Sequence, residues 1–392
     1  MKNIGIIVQS LRGGGAERAV ANLSRDLSDN YNVYLILFEV DNIAYPYKGT
    51  IIDVGVKASN SKAGQLINLI KRYLIIKRIK KQYKLDLTIS FMPKANLYNV
   101  LTKGDDKVFI SIRNTMSQIQ LSRLDKFFIT FCGKRADMTI SLSEGTRLDL
   151  IKNFDYPQDK VITIYNSCDA TWFYRESSEV DHLIADYDWA KPTIVTAGRL
   201  HEQKGQWHLL RALSVVNKTI PECQLVIFGQ GDLRTQLIDY AKKLGVINNV
   251  HFLGYVKNHH KFMSKCQAFI FPSIYEGLGN VLLEALACEM PVVSADCPCG
   301  PGEILGGATS GDDNCICEAQ YGILIPPFTT TPFDVNDINF EKSDYLLADA
   351  IIKIITDNSY SQLLRNRAKT RSRFFTPENI KGNWIKLINQ FI

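Results

Sequence analysis

The sequence of 392 residues contains no long apolar run. Its apolar stretches, such as "IGIIV" at residues 4–8, are far shorter than the ~20 residues that a membrane-crossing helix needs. The N-terminus also lacks the charged segment, apolar segment and cleavage site of a secretory leader. The sequence therefore predicts a cytoplasmic protein without a transmembrane helix.

Two common nucleotide-binding signatures are absent as well. The loop "RGGGAER" follows a predicted strand, but Arg18 stands where the fingerprint G-x-G-x-x-G would place its last glycine. No segment matches the Walker pattern. The broken dinucleotide fingerprint argues against a dehydrogenase. Gly14 and Gly15 could still let backbone amides approach an anion, and a plain tight turn is the alternative.

Disulfides are not expected, although the chain has nine cysteines. A chain without a leader usually keeps its thiols reduced. Two pairs, Cys297 with Cys299 and Cys315 with Cys317, have one-residue spacers, which are tighter than the two to four residues usual in zinc sites. Reduced thiols are therefore predicted, and a zinc site is the alternative.

The chain is longer than a single hydrophobic core usually supports, which predicts two domains. In each half, β-branched strands alternate with helical segments, a pattern typical of a doubly wound parallel α/β sheet. The polar, aperiodic segment 171–190 is predicted to be the linker. The expected domains are 1–170 and 191–376, with a cleft between them.

The net charge is +6, and one predicted helix, residues 65–84, carries basic residues and no acid. Its basic residues are Lys71, Arg72, Lys77, Arg78, Lys80, Lys81 and Lys84. Leu66, Leu69, Ile70, Tyr73, Leu74, Ile76 and Ile79 recur at helical spacing. A basic amphipathic helix of this kind is typical of membrane-surface binding, and the alternative is a core-packed helix with a solvated basic face.

Further candidate ligand groups follow the strands of the second half, where open α/β sheets bind ligands. Arg199 and Lys204, five residues apart in "GRLHEQKG", could neutralise a diphosphate. Gly229 in "FGQGD" follows the next strand, and Tyr255 in "FLGYV" could lie beside a flat base. Each of these residues, taken alone, fits ordinary surface or turn structure equally well.

Two acids in "YEGLGNVLLEA" interrupt an apolar pattern. Glycines inside a helix cost about 1 kcal/mol each, so the helix is expected to begin near Gly279 or Asn280. Glu276 then precedes the helix, and Glu284 lies in its second turn. The backbone amides of residues 278–281 could hold a phosphate, while the two carboxylates accept hydrogen bonds from sugar hydroxyls.

These motifs, in this order, resemble those of family 4 of the retaining glycosyltransferases, which have the two-Rossmann GT-B architecture. "EGLGNVLLEA" matches the E-x7-E pattern of that family, and "GRLHEQKG" resembles its Gly-Arg-x(n)-Lys-Gly element. "PSIYEG" and "PVVSADCPCGPGEIL" look like the subgroup that builds bacterial capsule, O-antigen and lipid-linked oligosaccharides. The resemblance implies two Rossmann-like doubly wound domains facing a central cleft, with the last helix, 377–392, packed back on the first domain.

The resemblance also implies a role for each matching residue. Glu284 would bind the ribose hydroxyls of the donor, and Glu276 would contact hydroxyls of the transferred sugar. Arg199 and Lys204 would neutralise the diphosphate leaving group. The other expected donor contacts are Gly14, Gly15, Gly229, Tyr255, Gly277, Leu278, Gly279, Asn280 and Val281.

One loop, "SIRNTMS", departs from the pattern of the family. Many relatives carry a histidine there, whereas this sequence has Arg113 and Asn114. A histidine contact to the donor sugar is therefore in doubt. Arg113 is expected to serve an acceptor phosphate or the reaction centre.

The implied activity is retaining transfer of a hexose or N-acetylhexosamine from a nucleoside-diphosphate sugar, with UDP as the expected nucleotide. No metal or other cofactor is expected, because Arg199 and Lys204 would take its place, and no nucleic acid partner is expected. The acceptor would be a polyprenyl-diphosphate-linked saccharide. The protein would then lie on the inner face of the cytoplasmic membrane and contact it through residues 65–84. The alternatives are a GT-B-shaped sugar-nucleotide epimerase or hydrolase, and a non-catalytic partner subunit.

Overall fold

The chain folds into two compact units. The computed structural model describes residues 1–56, 61–173, 178–309, 315–329 and 332–392. Unit 1 comprises Met1–Ser167 and Pro377–Ile392, and unit 2 comprises Cys168–Thr376. The chain therefore returns to unit 1 for its last helix.

Each unit is built on a seven-stranded sheet. The strands of unit 1 are β1 (Asn3–Val8), β2 (Asn32–Leu37), β3 (Thr50–Asp53), β4 (Leu87–Phe91), β5 (Lys107–Ile112), β6 (Met138–Ser141) and β7 (Val161–Thr163). Those of unit 2 are β8 (Thr193–Ala197), β9 (Gln224–Phe228), β10 (Val250–Gly254), β11 (Ala268–Phe271), β12 (Val292–Ala295), β13 (Cys317–Ala319) and β14 (Gly322–Ile325).

The spatial order of the strands is β3-β2-β1-β4-β5-β6-β7 in unit 1 and β10-β9-β8-β11-β12-β14-β13 in unit 2. All neighbouring strands are parallel except β13 and β14. The order reverses between β1 and β4 and again between β8 and β11, and ligands of doubly wound sheets bind at the carboxyl ends of strands beside such reversals. The prediction of two doubly wound α/β domains is confirmed.

The described residues form fifteen α-helices. They are α1 (Gly15–Leu27), α2 (Lys62–Gln82), α3 (Pro93–Leu101), α4 (Arg123–Arg135), α5 (Glu144–Phe154), α6 (Ala170–Phe173), α7 (Ser178–Asp186), α8 (Gln206–Thr219), α9 (Arg234–Lys243), α10 (His260–Met263), α11 (Asn280–Ala287), α12 (Pro301–Leu305), α13 (Lys342–Thr356), α14 (Asn358–Ser372) and α15 (Pro377–Ile388). No helix in the described part of the chain combines the length and apolarity that crossing a bilayer requires.

The terminal helix α15 contributes to the core of unit 1. Trp384 and Ile388 are buried in the same apolar cluster as Val20 of α1. Beyond the helix, the side-chain oxygen of Asn389 accepts a hydrogen bond of 2.8 Å from the hydroxyl of Tyr31. The last helix is thus held in unit 1 by apolar burial and by a polar contact near its end.

Two stretches differ from their predicted structure. Residues 171–190, predicted as a linker, belong to unit 2 and include α7. The rings of Tyr187 and Trp189 pack on Phe262, with centroids 5.1 and 4.8 Å away, so a polar-looking segment is anchored by aromatic contacts. Helix α14, which no apolar pattern in the sequence predicted, lies between α13 and α15 and is too polar to show such a pattern.

The basic helix α2 packs on unit 1 through Ile76 and Ile79. Both are buried, as their helical spacing predicted. Nearer the N-terminus of the helix, four apolar side chains are exposed instead: Ile67, Leu69, Ile70 and Leu74. The alternative of a core-packed helix therefore fits Ile76 and Ile79 and does not fit these four residues.

Lys80 is not part of the solvated basic face. Its ammonium group forms a 2.9 Å ion pair with Asp106 and donates a 3.0 Å hydrogen bond to the carbonyl of Asn99. Both side chains of the ion pair are buried, and this burial lowers the pKa of Lys80. The prediction that Lys80 belongs to a basic surface for an anionic partner is corrected. Its side chain points inward, whereas the side chains of Lys77 and Lys81 are exposed.

Candidate functional site

Helix α11 begins at Asn280, as the glycines in its sequence predicted. The preceding residue, Gly279, has φ 86° and caps the helix without a side chain. A Cβ at Gly279 would also press on the ring of Phe271 at the end of β11. The glycine therefore allows the chain to turn from the carboxyl end of β11 directly into the helix, and it brings the backbone amides of the first turn to that edge of the sheet.

Glu276 and Lys204 form an ion pair in front of this helix. The ammonium group of Lys204 contacts the Oε1 atom of Glu276 and lies 5.5 Å from the ring centroid of Phe271. The carboxylate side chain is 8% exposed and the lysine side chain 20% exposed. The structure thus brings together two of the residues that the sequence analysis assigned to the donor.

The loops that carry this ion pair are fastened to each other by backbone contacts. The amide of Ile274 donates a 2.9 Å hydrogen bond to the carbonyl of Gln203, and the Gln203 side chain donates one of 2.9 Å to the carbonyl of Tyr275. Gly205 has φ 58°, and a Cβ there would collide with the carbonyl oxygen of Pro272. These contacts fix the segment after β8 against the segment after β11.

Arg199 lies near Lys204 in sequence but does not join the ion pair with Glu276. Its side chain is exposed, and none of the carboxylates in the described ranges forms an ion pair with it. Its backbone carbonyl accepts a 3.0 Å hydrogen bond from Gln206 at the start of α8. The structure therefore holds Lys204 in the pair with Glu276 and leaves Arg199 as an exposed cation at the carboxyl end of β8.

Glu284 lies in the second turn of α11, as predicted, and its partner was not predicted. The Nε2 atom of His260 is 2.9 Å from the Oε2 atom of Glu284, and both side chains are buried. His260 opens α10, which follows β10. The histidine is 24 residues away in sequence, and no local motif pointed to it.

The close approach of neighbouring strand ends explains the glycine at position 229 in "FGQGD". Gly229 follows β9 with φ 137°, and a Cβ there would collide with the carbonyl oxygen of Gly198 at the end of β8. Its amide donates a 2.7 Å hydrogen bond to the carbonyl of Gly254 at the end of β10. Three glycines therefore let the ends of three neighbouring strands approach closely. Tyr255, which comes next, is largely exposed, as a residue that stacks on a ligand would be.

The N-terminal glycine loop of unit 1 leads into α1. Gly14 is the N-cap residue of this helix, has φ 143° and provides no side-chain cap. Its amide lies 3.2 Å from the hydroxyl of Tyr45, to which it donates, and a Cβ would meet the carboxylate of Glu17. Gly15 is the first helical residue, and both glycines are exposed. The loop has the geometry of an anion-approach site at the carboxyl end of β1.

Arg113 follows β5 in unit 1 and is held without a carboxylate partner among the described residues. Its guanidinium group donates to the side-chain oxygen of Asn166 and to Ser111 at 3.5 Å, and it lies 5.5 Å from the ring centroid of Phe91. Loss of hydration lowers the pKa of Arg113 to about 10, so it remains a cation at neutral pH. A desolvated arginine with only neutral contacts is suited to bind an anionic ligand.

Within the described ranges, the cysteines form no group of three side chains that could hold a zinc ion, which was the alternative. No disulfide links any of the nine, and Cys297 and Cys299 are buried. Burial, together with the nearby charge of Glu276, raises the pKa of the Cys297 thiol. Among the described residues, the one group of side chains that could hold a metal ion is His259, His260 and Glu284.

Two family models match the chain. "Glycosyltransferase Family 4" matches residues 13–172, and "Glycosyl transferases group 1" matches residues 185–312. An uncharacterized glycosyltransferase of Methanocaldococcus jannaschii is 30% identical over 338 residues, which cover 82% of this chain and 83% of the relative. The N-acetylgalactosamine-N,N'-diacetylbacillosaminyl-diphospho-undecaprenol 4-alpha-N-acetylgalactosaminyltransferase of Campylobacter jejuni is 28% identical over 99% of this chain and 100% of the relative.

Solved structures share the fold over the full chain. Sucrose-phosphate synthase from Thermosynechococcus elongatus has a TM-score of 0.78 and 17% identity, and the match covers 100% of this chain and 99% of that one. Anabaena HepE, solved in complex with UDP and glucose, has a TM-score of 0.77 and 19% identity, with 100% of both chains covered. At these identities the likeness shows the fold alone and leaves the ligand open.

Proposed function

Because the chain belongs to family 4 of the glycosyltransferases and has their GT-B fold, we propose that it is a retaining sugar transferase. The donor is a UDP-linked hexose or N-acetylhexosamine, and the acceptor is a lipid-linked saccharide of surface-glycan assembly. The observation that carries this proposal is the group at the start of α11. The carboxyl edge of the unit 2 sheet carries, in order, the Lys204–Glu276 ion pair, the first backbone amides of α11, and Glu284 in the second turn of that helix.

The charges at this group suit a sugar nucleotide. The two phosphates approach the backbone amides of residues 278–281 and the ammonium group of Lys204, and exposed Arg199 adds a second cation. Glu276 and Glu284 accept hydrogen bonds from the sugar and ribose hydroxyls at the two ends of the donor. In unit 2, Gly229 and Tyr255 lie along the nucleotide, and Gly14 and Gly15 of unit 1 stay predicted donor contacts.

The chemical step needs stabilisation of the departing diphosphate. Negative charge grows on that diphosphate as the bond to the sugar breaks, and fixed cations and amides stabilise it most in the transition state. Lys204 serves this role without a metal ion. Glu276 is assigned to sugar binding rather than to nucleophilic attack, because Lys204 holds its carboxylate. The bond from the anomeric carbon to the diphosphate breaks, and the acceptor hydroxyl forms its bond on the same face while the leaving phosphate accepts its proton. Attack on the face of departure gives retention at the anomeric carbon.

The acceptor is inferred from unit 1 and from one relative. The name of the Campylobacter jejuni relative describes transfer to a saccharide on diphospho-undecaprenol, and that relative aligns over the whole chain. A diphosphate-bearing acceptor also suits Arg113, whose contacts in the described residues are neutral. We therefore assign the acceptor to the polyprenyl-diphosphate class and Arg113 to its phosphate.

Activity with defined substrates tests this function. We expect release of UDP when the purified chain receives a UDP-sugar and a short-chain polyprenyl-diphosphate saccharide, and we expect an α-linked product by NMR from an α-linked donor. EDTA should leave the rate unchanged. Donor consumption without an acceptor would favour the hydrolase or epimerase alternative. An inverted product would overturn retention, and no turnover with UDP-, GDP- or dTDP-sugars would favour a non-catalytic subunit.

The membrane contact is proposed through the two helices α2 and α4. α3 packs against both of these helices. Helix α2 exposes apolar residues together with lysines and Arg78. Helix α4 exposes Leu124, Phe127 and Phe128 beside Lys126. A surface that mixes apolar and basic side chains suits the interface of an anionic leaflet. We therefore propose that the enzyme lies at the inner face of the cytoplasmic membrane, where lipid-linked acceptors are present.

Charge reversal on α2 tests the membrane contact. The triple change Lys77→Glu, Arg78→Glu and Lys81→Glu should weaken binding to phosphatidylglycerol-containing liposomes by more than tenfold, since each cation near the surface contributes about 1 kcal/mol. Lys80 is omitted because its reversal would break the buried ion pair.

The matched control lies on unit 2. Arg234→Glu, Lys242→Glu and Lys243→Glu change the charge of the exposed helix α9 by the same amount. This control should retain liposome binding within about twofold. Equal losses of liposome binding in both triple variants would show that binding depends on net charge and not on α2. Unchanged liposome binding in the α2 triple variant would contradict the membrane contact.

A further inference from the structure

We propose that His260 is a positioning residue for the nucleotide, acting through Glu284. This inference rests on the proposed function, in which Glu284 binds the ribose of the donor. The Nε2 atom of His260 lies 2.9 Å from the Oε2 atom of Glu284, and the two side chains are 3% and 8% exposed. The histidine therefore fixes one oxygen of the carboxylate and orients the group as a whole.

The imidazole ring of His260 is itself held firmly. The ring of Phe173 stacks on it with centroids 3.8 Å apart and planes 10° apart, and the ring of His259 stacks at 4.5 Å. Its Nδ1 atom lies 3.3 Å from the side-chain oxygen of Asn258. These contacts leave the ring little freedom to turn, so its Nε2 atom stays directed at the carboxylate of Glu284.

The backbone of His260 is also tied to the helix that carries Glu284. The thiol of Cys288, which follows the last residue of α11, donates to the carbonyl oxygen of His260 at 3.7 Å. The histidine thus meets α11 at two points, through its carbonyl and through its ring. A contact between α10 and α11 therefore contributes to the orientation of the carboxylate before a ligand binds.

A fixed carboxylate matters because a ribose presents two neighbouring hydroxyls. A carboxylate that receives both must face them in one orientation, and a group that is oriented in advance loses less entropy on binding. Without the histidine, the carboxylate of Glu284 loses this hydrogen bond to a charged group and is held less firmly. We expect the affinity for a nucleoside diphosphate to fall by about 10- to 30-fold.

A metal ion is the competing explanation for the same side chains. The ligand atoms of His259, His260 and Glu284 lie within 4.8 Å of one another. The structure favours the direct hydrogen bond, because the histidine nitrogen and carboxylate oxygen are already at hydrogen-bond distance. The Nδ1 atom of His259 lies 3.2 Å from the carbonyl of Val256, which accounts for a further polar atom of the group.

Two substitutions separate the hydrogen bond from the packing. His260→Phe keeps a flat ring to stack on Phe173 and removes the donor. His260→Gln removes the ring and keeps a donor. His251→Ala is the matched control, since this histidine of β10 lies 2.9 Å from the Gln224 side chain and makes no contact with Glu284. UDP and 2′,3′-dideoxy-UDP are the probes, and the full chain is used throughout.

Calorimetry on the two nucleotides gives the test. In the parent, UDP should bind more tightly than its dideoxy form. His260→Phe should weaken UDP binding by 10- to 30-fold and change dideoxy-UDP binding by less than threefold, His260→Gln should recover part of the loss, and His251→Ala should match the parent. At saturating donor, kcat of His260→Phe should stay within about threefold of the parent, so the loss appears in KM.

The contrary results are distinct. If His260→Phe weakens the binding of UDP and of dideoxy-UDP equally, the role of His260 alone is overturned. The same holds if His260→Phe binds UDP as tightly as the parent. A parent that fails to bind UDP, or binds both forms equally, would overturn the ribose role of Glu284 and with it the proposed function. One equivalent of metal in the purified parent, with discrimination lost after dialysis against EDTA, would replace the hydrogen bond by a metal site.

Discussion

Replacement of Lys204 by alanine is expected to lower kcat by about 10²–10³-fold, the loss typical of removing one fixed group that stabilises a developing negative charge. The ammonium group lies at the carboxyl edge of the unit 2 sheet, beside Phe271 and in contact with Glu276. Because the diphosphate gains charge as the sugar departs, the loss should be larger in kcat than in the KM of the donor. Steady-state kinetics with varied UDP-sugar at saturating acceptor measures both.

The ion pair with Glu276 allows a second explanation, that Lys204 only orients this carboxylate. The variant Glu276→Gln separates the two. If Lys204 acts on the phosphates, Lys204→Ala should cost nearly as much in the Glu276→Gln background as in the parent. If it acts only through Glu276, the second change should add little.

A matched control for Lys204 is available on the same unit. Lys369 forms an exposed 2.8 Å ion pair with Glu289, so Lys369→Ala removes the same side chain from a surface pair. Exposed pairs contribute about 0–1 kcal/mol, and this variant should keep the kcat of the parent. If the kcat of Lys204→Ala, measured beside this control, stays within fivefold of the parent, Lys204 does not stabilise the transition state.

The start of α11 could be read from the sequence because its cause is local. Glycine at 279 permits a positive φ, and the apolar spacing begins one residue later. That boundary puts Glu276 ahead of the helix and Glu284 in its second turn. The alternation of β-branched runs with helical segments is equally local, and it was sufficient to predict both sheets.

The contacts that sequence could not reveal join residues from different elements. Lys80 has the spacing of the exposed lysines on α2, and its burial depends on Asp106, which belongs to the loop before β5. His260 reads as an ordinary residue of a short helix until the fold brings it to Glu284. In both cases the informative feature is a partner more than 20 residues away, which periodicity and spacing do not encode.

Removal of the carboxyl group at Asp106 is expected to destabilise unit 1 by about 3–5 kcal/mol, because it leaves the ammonium group of Lys80 buried without its countercharge. Asp106 also accepts a 2.7 Å hydrogen bond from Thr88 and one of 3.0 Å from the amide of Gly104, so Asp106→Ala removes several contacts at once. Asp106→Asn keeps the shape and isolates the charge. Its neighbour Asp105 is exposed, and Asp105→Asn is the matched control.

Hydrogen exchange measures this effect better than a single melting curve, since a chain with two units need not unfold in one step. Peptides from β4 and β5 should exchange faster by about two to three orders of magnitude in Asp106→Asn and should match the parent in Asp105→Asn, while peptides from β8 and β11 stay unchanged. Combining Asp106→Asn with Lys80→Met removes both charges and should recover most of the protection. Protection in the double variant as low as in Asp106→Asn would mean that packing, and not the buried charge, holds this part of unit 1. Recovery would instead explain why one lysine of an otherwise solvated basic helix is committed to the core and cannot serve a membrane surface.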